Sequence, residues 1–468
     1  MSTFTGLNTA ASGVAAARRA MEVVGQNVAN QTTEGYTRQR VTTEAVAAVA
    51  QAGRFSMGAV PGQGVTVSGI ARLGDALLDA RVRDALASSG YWSTRAVATT
   101  TAESALAEPT ADGLAARLSA FWAGWQDLAN TPDSGAAAGV VLGAAEELAG
   151  RLADGYRAVA DQWNSARAGV ERTVTQVNTA ADRIAALNSQ IRDALASGRN
   201  ANELIDQRNT VAQTVAQLAG ARSSVEPDGT LTVRIDGNAL VSGANARHLV
   251  VDGARSMEDG ERVGLSWEGS DFPVAVSDGE LGATLSVLAP AADGGPLAQL
   301  ATGYNAVATA LTEQVNAAHR AGVTASGGPG GDFFALAAQG PAALGLSVVP
   351  TSGSELALAA TGGGALDATN ADAISQLGAA AGSPDALWSD HVVRFGVATA
   401  GDVQRARLSE TASATATSAQ QSVAAVDGDE ETVSLVTYQA AFQASARVLS
   451  AIDEALDVLI NKTGIVGR

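Results

Sequence analysis

The side chains best suited to metal binding in this sequence are its three histidines, and they are widely separated. His248, His319 and His391 lie far apart, and the chain contains no cysteine. No group of residues therefore has the spacing of a zinc site. The lack of cysteine also excludes disulfides and thiolate nucleophiles. His319 stands just before Gly322, a position that suits the C-terminus of a helix. The histidines predict no metal centre.

Glycine-rich and acidic segments are also poor candidates for catalysis. Residues 326–331 are rich in glycine, but they contain Pro329 and lack a nearby lysine, so they do not form a phosphate-binding loop. No Gly-x-Ser-x-Gly elbow is present. The run from Asp427 to Glu431 could hold a cation, but capping and the helix dipole explain acidic residues at a helix start better. We therefore expect no enzyme activity, no catalytic residues and no cofactor.

The charge and the apolar content of the sequence limit the partners that the protein could bind. The net charge is -18, from 30 basic and 48 acidic residues among 468, which disfavours nucleic acid as a partner. No apolar run is long enough to cross a bilayer, so we expect no membrane insertion. A cleaved signal peptide is not expected, because Asn8, Ser12, Arg18 and Arg19 interrupt the first helix.

The elements that must position any functional residue are the two ends of the chain. Each end carries a stripe of mostly apolar residues spaced three or four apart, as on one side of a helix. A single helix of this length is marginal in water, so we predict that the ends pair as a coiled coil and also pack against other copies. The stripes are Leu7, Ala11, Val14, Arg18, Met21, Val24 and Val28, in a helix over about 4–29, and Leu435, Tyr438, Phe442, Ala446, Leu449, Ile452, Leu456 and Leu459.

The middle of the chain is predicted to be a helical frame with a small β insertion. Helical patterns cover residues 73–106, 136–196, 297–318 and a segment that begins at about Asp402. The pattern over 136–196 could be one helix or two. Asn202 is expected to cap a further helix. Leu114, Leu118, Phe121, Trp125 and Leu128 form a core face. Apolar residues that alternate with polar ones at Leu231, Val233 and Ile235 predict a half-buried strand. Gly237-Asn238 predicts a tight turn after it. Residues 249–251, 263–267 and 274–276 are predicted to be further short strands.

The fold class is therefore mainly α, with terminal helices paired as a coiled coil, a long-helix bundle frame and a small antiparallel β insertion. We expect residues 1–45 with 427–468 to form the terminal domain. The frame would comprise 46–220 with 291–326 and 395–426, and the β domain 221–290. Residues 327–394 would be a Gly/Ala-rich variable segment or a second small insertion.

Several motifs resemble those of one protein family. Asn27-Val-Ala-Asn30 with Thr33 to Gln39, and Tyr438 to Arg447, resemble the terminal signatures of the flagellar rod, hook and hook-associated proteins, the axial family. Tyr36 with Arg38 and Gln39 is closer to the junction proteins of that family than to the hook subunit. The segments 202–208, 279–282 and 315–319 also resemble junction-protein segments, in the expected order.

The resemblance implies a structural subunit that joins the hook to the filament of the bacterial flagellum. Its partners would be copies of itself, the hook protein, a second hook-associated junction protein, and an export chaperone on the C-terminal helix. It would lie outside the cell, exported through the flagellar type III channel without a cleaved signal peptide. The termini would be largely disordered in the monomer and fold on assembly.

The predicted assembly interface combines the two stripes with the turn after the first helix, in which asparagine and glycine favour a helix stop. Its residues are Leu7, Val14, Met21, Val24, Asn27, Val28, Asn30, Gly35, Tyr36, Arg38, Gln39, Leu435, Tyr438, Phe442, Leu449, Ile452, Leu456 and Leu459.

Three other interpretations remain open at this point. The chain could be another axial subunit of the hook or distal rod. It could be an axial protein with an enzymatic insertion, such as a peptidoglycan hydrolase or protease within 327–390, although no set of residues supports this. It could also be a helical adhesin or effector, which would leave the matching motifs at both ends unexplained.

Overall fold

The computed structural model describes residues 3–47, 62–270, 272–364 and 366–462. All the predicted interface residues lie in these ranges, whereas residues 48–61 of the predicted frame do not. The described helices are α1 Thr3–Ala29, α2 Ala76–Leu106, α3 Leu114–Asn130, α4 Gly135–Ala196, α5 Asn202–Ala219, α6 Gly279–Val287, α7 Pro296–Ala321, α8 Ala342–Gly345, α9 Thr369–Ser375, α10 Pro384–Ala424 and α11 Gly428–Asp457.

The strands are short and form small antiparallel sheets. They are β1 Gln39–Ala45, β2 Val65–Arg72, β3 Arg222–Val225, β4 Leu231–Ile235, β5 Asn238–Ser242, β6 Asn245–Ala246, β7 Leu249–Gly253, β8 Val263–Trp267, β9 Gly322–Thr324, β10 Phe334–Ala335, β11 Ser347–Val348 and β12 Ala357–Ala360. The pairs are β1 with β2, β7 with β8, β9 with β12 and β10 with β11, and β3 to β6 form a four-stranded meander. The predicted class, mainly α with small inserted antiparallel sheets, is confirmed.

The frame is built on long helices that the sequence pattern predicted. The pattern over 136–196 forms one continuous helix of 62 residues, α4. Helices α2 and α10 pack in antiparallel order, and Arg95 of α2 donates to Asp402 of α10 at 2.9 Å. The predicted face of α3 is confirmed as core, since Leu114, Leu118, Phe121, Trp125 and Leu128 are fully buried.

The β insertion is fastened to α4 by two asparagines. Asn188 donates to the carbonyls of Leu231 and Gly243, both at 2.8 Å, and its oxygen accepts from the Leu231 amide at 2.8 Å. Asn178 pairs in the same way with both backbone groups of Leu249, at 2.9 and 2.8 Å. These amide side chains form hydrogen bonds with backbone N–H and C=O groups that would otherwise lack a partner within the small sheets.

His319 lies in the last turn of α7, as predicted, and holds the segment that follows that helix. Its Nδ1 donates to the Gly331 carbonyl at 2.8 Å, and its Nε2 accepts from the Ala357 amide at 3.0 Å. Both nitrogens are therefore occupied by backbone groups in the neutral ring. Burial lowers the pKa of His319 below its ordinary value, which favours the same neutral form.

Helix boundaries differ from the prediction at two places. The helix expected from Asp402 begins at Pro384, where Ser383 caps it by accepting from the Ala386 amide. It therefore crosses the expected boundary between residues 394 and 395. Asn202 does not cap α5. Its own amide is bonded by Asn200, and its side chain extends to other elements of the fold.

The β insertion also departs from the prediction in detail. Residues 274–276 form no strand, because the adjacent pairing is limited to a bridge between Ser266 and Pro273. The tight turn is centred on Asp236 and Gly237, both at positive φ, rather than on Gly237-Asn238. β4 has the predicted buried side, with Leu231, Val233 and Ile235, and Arg234 on its other side is exposed, but Thr232 on that second side is buried as well. In the parts of the chain that the structure describes, no helix has the length and apolar character needed to cross a membrane.

Candidate assembly site

The two ends of the chain meet as an antiparallel helix pair. A Cβ at Gly6 of α1 would lie 3.1 Å from Cδ1 of Ile452, and one at Gly13 would lie 2.8 Å from Oγ of Ser445. The helices approach closely because α1 presents small side chains to α11. The residues of α1 buried in the single chain are Ala10, Ala17, Ala20, Val23, Val24 and Asn27.

The buried face of α1 is rotated from the stripe that the sequence indicated. Of the predicted stripe, Val24 is buried, whereas Leu7, Val14 and Met21 are half-buried. Val28 is 49% exposed. Apolar periodicity located the helix but not the side that faces α11, because alanine and glycine pack against α11 and the larger side chains lie beside the contact.

On α11 the predicted stripe faces α1 but is not fully covered by it. Leu459, beyond the end of α11, is 57% exposed. The outer side of α11 carries further exposed apolar residues, namely Val433, Val436 and Val448. The half-buried stripe residues are Leu435, Tyr438, Phe442, Leu449, Ile452 and Leu456. The pair thus leaves apolar surface open along both helices.

The turn after α1 brings the chain against α5. Asn30 donates to the Gln26 carbonyl at 2.9 Å and thereby closes the end of the helix. Gly35 has a φ of +75°, and a Cβ there would lie 2.3 Å from Oγ1 of Thr210. A side chain at position 35 would therefore be strained by the backbone conformation and would displace the Thr210 hydroxyl.

Asn27 is the centre of a buried polar cluster at this turn. Its Nδ2 donates to the Gln39 carbonyl at 2.9 Å and to Glu431 at 3.0 Å. Its Oδ1 accepts from the Gln39 amide at 3.0 Å and from the Tyr36 hydroxyl at 2.9 Å. A single side chain thus joins α1, the start of β1 and the first turns of α11.

Glu431 connects the C-terminal helix to the same cluster. It is 2% exposed and accepts from Nε of Arg38 at 2.6 Å, in addition to its bond with Asn27. Arg38 also pairs with Glu430, and its backbone amide donates to the Ala424 carbonyl at 2.8 Å. The acidic start of α11 therefore binds an arginine of the N-terminal segment, while Asp427 caps the helix.

A second set of bonds docks this cluster onto the frame. The Thr37 amide donates to Asp206 of α5 at 3.0 Å, and Asp206 also accepts from Arg72 of β2. Nδ2 of Asn202 donates to Oε1 of Gln39 at 2.9 Å and to the Ile70 carbonyl at 3.0 Å. The terminal pair is therefore connected to the frame through α5 and the β1–β2 hairpin.

Burial and acidic neighbours determine the electrostatics of the cluster. Desolvation, assisted by Glu203, Asp206 and Glu431, raises the pKa of Tyr36 to about 12. Desolvation also raises the pKa of Asp206, although the Thr37 amide and Arg72 oppose this. For Arg38, burial alone would lower the pKa, but the bonds to Glu430 and Glu431 outweigh it and raise the pKa. The guanidinium thus stays charged beside its two carboxylates.

The sequence interpretation missed several members of the cluster. Glu431 was assigned only to the helix start. Asn202 was assigned to a helix cap and to a motif, and Asp206 only to that motif. Arg72 was not considered. A searchable signal did exist, since Asn202 and Asp206 lie four residues apart and thus on one face of α5. In the described ranges no three His, Asp or Glu side chains are grouped as metal ligands would be.

Comparison with known families gives three matches along the chain. Residues 99–334 match the flagellar hook-associated protein FlgK helical domain. Residues 7–37 match the flagella basal body rod protein family, and residues 420–462 match the C-terminal domain of the flagellar basal body rod FlgEFG proteins. The two rod-type matches together cover most of α1 and all of α11, the helices that pair here.

Individual relatives agree with these matches. The flagellar hook-associated protein 1 of Bacillus subtilis is 28% identical over the full length of both chains. That of Escherichia coli is 28% identical over 70% of this chain, and the match spans only 60% of that relative's length. The structure of the flagellar hook junction protein FlgK from Burkholderia pseudomallei superposes with a TM-score of 0.63 at 17% identity, covering 74% of this chain and all of that chain.

Proposed function

Since this chain belongs to the family of the flagellar hook-associated protein FlgK and is a structural subunit of the flagellar hook junction, we propose that it assembles with copies of itself through its two terminal helices. The observation that carries the proposal is the apolar surface left open by the α1–α11 pair. The match of 99–334 to the FlgK helical domain favours the junction subunit over a hook or distal rod subunit.

Two surfaces of the terminal pair have different roles in this mechanism. The small residues of α1 pack on α11 within one chain, and the larger residues of the predicted interface pack on neighbouring copies. Each apolar side chain of the size of leucine or valine contributes about 1.5–3 kcal/mol when it becomes fully buried. Most of this burial energy is still available for assembly at three residues of α11 that are largely exposed in the single chain. These residues are Val433, Val436 and Val448.

The polar cluster orients the terminal pair for this purpose. Asn27, Arg38 and Glu431 connect the ends to each other, and Asp206 connects them to the frame. A fixed orientation lowers the entropy lost when a copy joins the assembly. We also propose that the chain divides into the four parts predicted from the sequence, namely the terminal domain, the frame, the β domain and the variable segment. Helix α10 then belongs to the frame over its whole length.

We infer the partners from the family. One side of the assembled ring would contact the hook protein and the other a second junction protein. An export chaperone would cover the exposed apolar face of α11 before assembly, because such a face promotes aggregation. The chain would leave the cell through the flagellar export channel and reside in the external flagellum. We further infer that it is a structural protein and not an enzyme.

Both terminal helices are formed in the structure of the single chain, and folding of the ends on assembly remains a proposal. Amide hydrogen exchange on the purified monomer tests this expectation directly. Rapid exchange throughout α1 and α11 would support folding on assembly. Strong protection of both helices would show that the pair forms first and then associates.

The assembly proposal is tested by charged residues on the outer side of α11. Val433→Asp and Val436→Asp change positions that are exposed in the single chain, so the monomer should still fold. In a strain that lacks its own copy, we expect these variants to be exported but to accumulate as monomer in the medium, with loss of filaments. Val225→Asp, at an exposed position of the β insertion, is the control. Normal incorporation of both α11 variants, or of chains lacking 1–40 or 430–468, would refute the proposal.

A further inference from the structure

Helix α10 carries apolar side chains on two opposite faces. Its inner face is buried in the frame through Trp388 and Phe395. Val393, Val397 and Leu408 point the other way, and each is more than half exposed. Exposed apolar side chains that recur along one face of a surface helix mark a possible contact with another protein surface. Among the residues that the structure describes, protein covers the inner face of α10 but not Val393, Val397 and Leu408.

The C-terminal third of α10 lacks the charges of an ordinary solvated helix, whereas the part before it carries Arg405, Arg407 and the exposed Asp390–Arg394 ion pair. From residue 411 to residue 424, α10 contains no charged side chain, although many of these positions are exposed and Val423 is half exposed. The face leads directly towards α11, which begins at Gly428 after a short connection. It is therefore continuous with the terminal surface that the proposed function assigns to contacts between copies.

Two arginines beside Leu408 indicate the kind of surface that covers it. Arg405 lies over the ring of Trp92 at 4.7 Å, and neither Arg405 nor Arg407 has an ion pair in the described part of the chain. A second copy of this chain carries a net charge of -18. Cations at the rim of an apolar strip complement such an acidic surface.

We propose that the outer face of α10 is a second contact between neighbouring copies, which we call the frame seam and define as Val393, Val397, Arg405, Arg407, Leu408 and Val423. The inference rests on the proposed function, because the terminal helices bring the copies together. The seam carries unpaired cations and does not complement itself. It therefore contacts a different, acidic surface on the next copy. Contacts of this heterologous type generate rings and tubes rather than closed dimers.

The first test places a carboxylate in the seam of the full-length chain. We expect Val397→Asp and Leu408→Asp each to lower the amount of chain per isolated flagellum roughly tenfold, because a charge is unfavourable in a desolvated contact. Val225→Asp is the matched control, since Val225 and Leu408 are each 61% exposed. A circular dichroism melting curve equal to that of the unchanged chain verifies that each variant folds.

The terminal variant Val436→Asp separates this inference from the proposed function. Loss of assembly in Val436→Asp with normal assembly of both seam variants overturns the frame seam and leaves the terminal contact standing. Normal assembly of both Val433→Asp and Val436→Asp, with loss in the seam variants, overturns the terminal contact and leaves the seam as the contact between copies.

A second test uses the absence of cysteine from the chain. A photoreactive group attached to Leu408→Cys should link two copies in assembled flagella and none in the dilute monomer. The same group at Val225→Cys should give no link between copies. Absence of any adduct from position 408 in intact flagella would overturn the proposal.

Discussion

Asn27 and Glu431 are separated by 404 residues in sequence, yet Nδ2 of Asn27 donates to the carboxylate of Glu431 at 3.0 Å. Arg38 binds the same carboxylate at 2.6 Å. The two ends of the chain are thus joined by a buried polar contact as well as by helix packing. A buried carboxylate is stable only while its partners are present, so the ends depend on each other.

Removal of the Arg38 side chain should destabilise the terminal pair. Arg38→Met leaves Glu431 buried without its cation, and loss of one partner of a buried pair costs about 3–5 kcal/mol. We expect a lower free energy of unfolding and faster amide exchange in α1 and α11. Arg19→Met is the matched control, because Arg19 forms only an exposed pair with Glu22 and should change the stability by less than about 1 kcal/mol. Equal effects of the two substitutions would contradict the role of the buried pair.

The same substitution at two glycines of α1 should have opposite effects. Gly13→Leu places a side chain where even a Cβ would lie 2.8 Å from Oγ of Ser445, and overpacking of this kind costs about 1–3 kcal/mol. Gly25 has no neighbour within 4 Å of such a Cβ. Gly25→Leu should therefore stabilise the helix by up to about 0.8 kcal/mol, because leucine is the better helix former. Denaturant unfolding followed by circular dichroism measures both. A stable Gly13→Leu chain would contradict the close antiparallel packing.

Stability of the β insertion should depend on the protonation of His248. Its Nε2 lies 3.0 Å from Asp182 of α4 and its Nδ1 lies 3.1 Å from Glu268, and the bond to Asp182 is the largest cause of its raised pKa. Because the pKa of His248 is raised, the stability that its two bonds contribute is fully present below about pH 6.5, the ordinary pKa of histidine. It is lost as pH rises through the pKa of His248 in the folded chain.

The measurement is the difference in unfolding free energy between the unchanged chain and His248→Gln from pH 5 to pH 9. We expect this difference to decrease with increasing pH. The comparison cancels the contributions of His319 and His391, whose pKa values are lowered by burial and which act in the opposite direction. A difference that stays constant or increases with pH would refute the prediction.

Loss of the Tyr36 hydroxyl should weaken the cluster without altering its shape. Tyr36→Phe removes the bond to Oδ1 of Asn27, and we expect a loss of about 1 kcal/mol near neutral pH. The pKa of Tyr36 is raised to about 12, so the unfolded chain ionises first and the stability contribution falls as pH rises from about 10 towards 12. The difference between the unchanged chain and Tyr36→Phe should therefore shrink over that range. A difference independent of pH would place the hydroxyl outside the buried cluster.

Sequence periodicity predicted most of the helices because their apolar spacing reflects the core directly. The face of α3 with Phe121 and Trp125 and the long pattern of α4 were both interpreted correctly. The start of α10 was missed because Gly396 and Gly401 resemble breakers, whereas Pro384 and its cap Ser383 give the true start. Leu195, in the last turn of α4, is 45% exposed, so the apolar pattern over 136–196 does not reflect the core at its end.

The candidate site was predictable only in part. Motifs located Asn27, Tyr36, Arg38 and Gln39, but no pattern in the sequence showed that their partner is Glu431. Such a pairing depends on how two helices from opposite ends are arranged, and local spacing carries no information about that. Alanine and glycine likewise have weak apolar signals, so the true contact face of α1 could not be distinguished from the neighbouring face.

Helix α4 runs for 62 residues without interruption, or about 93 Å at 1.5 Å per residue. Leu148 in its first half is part of the frame core, while Asn178 and Asn188 in its second half hold the β insertion. A hydrogen-bonded helix resists stretching, so the insertion cannot drift along the axis relative to the frame. We therefore expect α4 to keep the β insertion at a fixed distance from the frame when force acts on the assembled subunit.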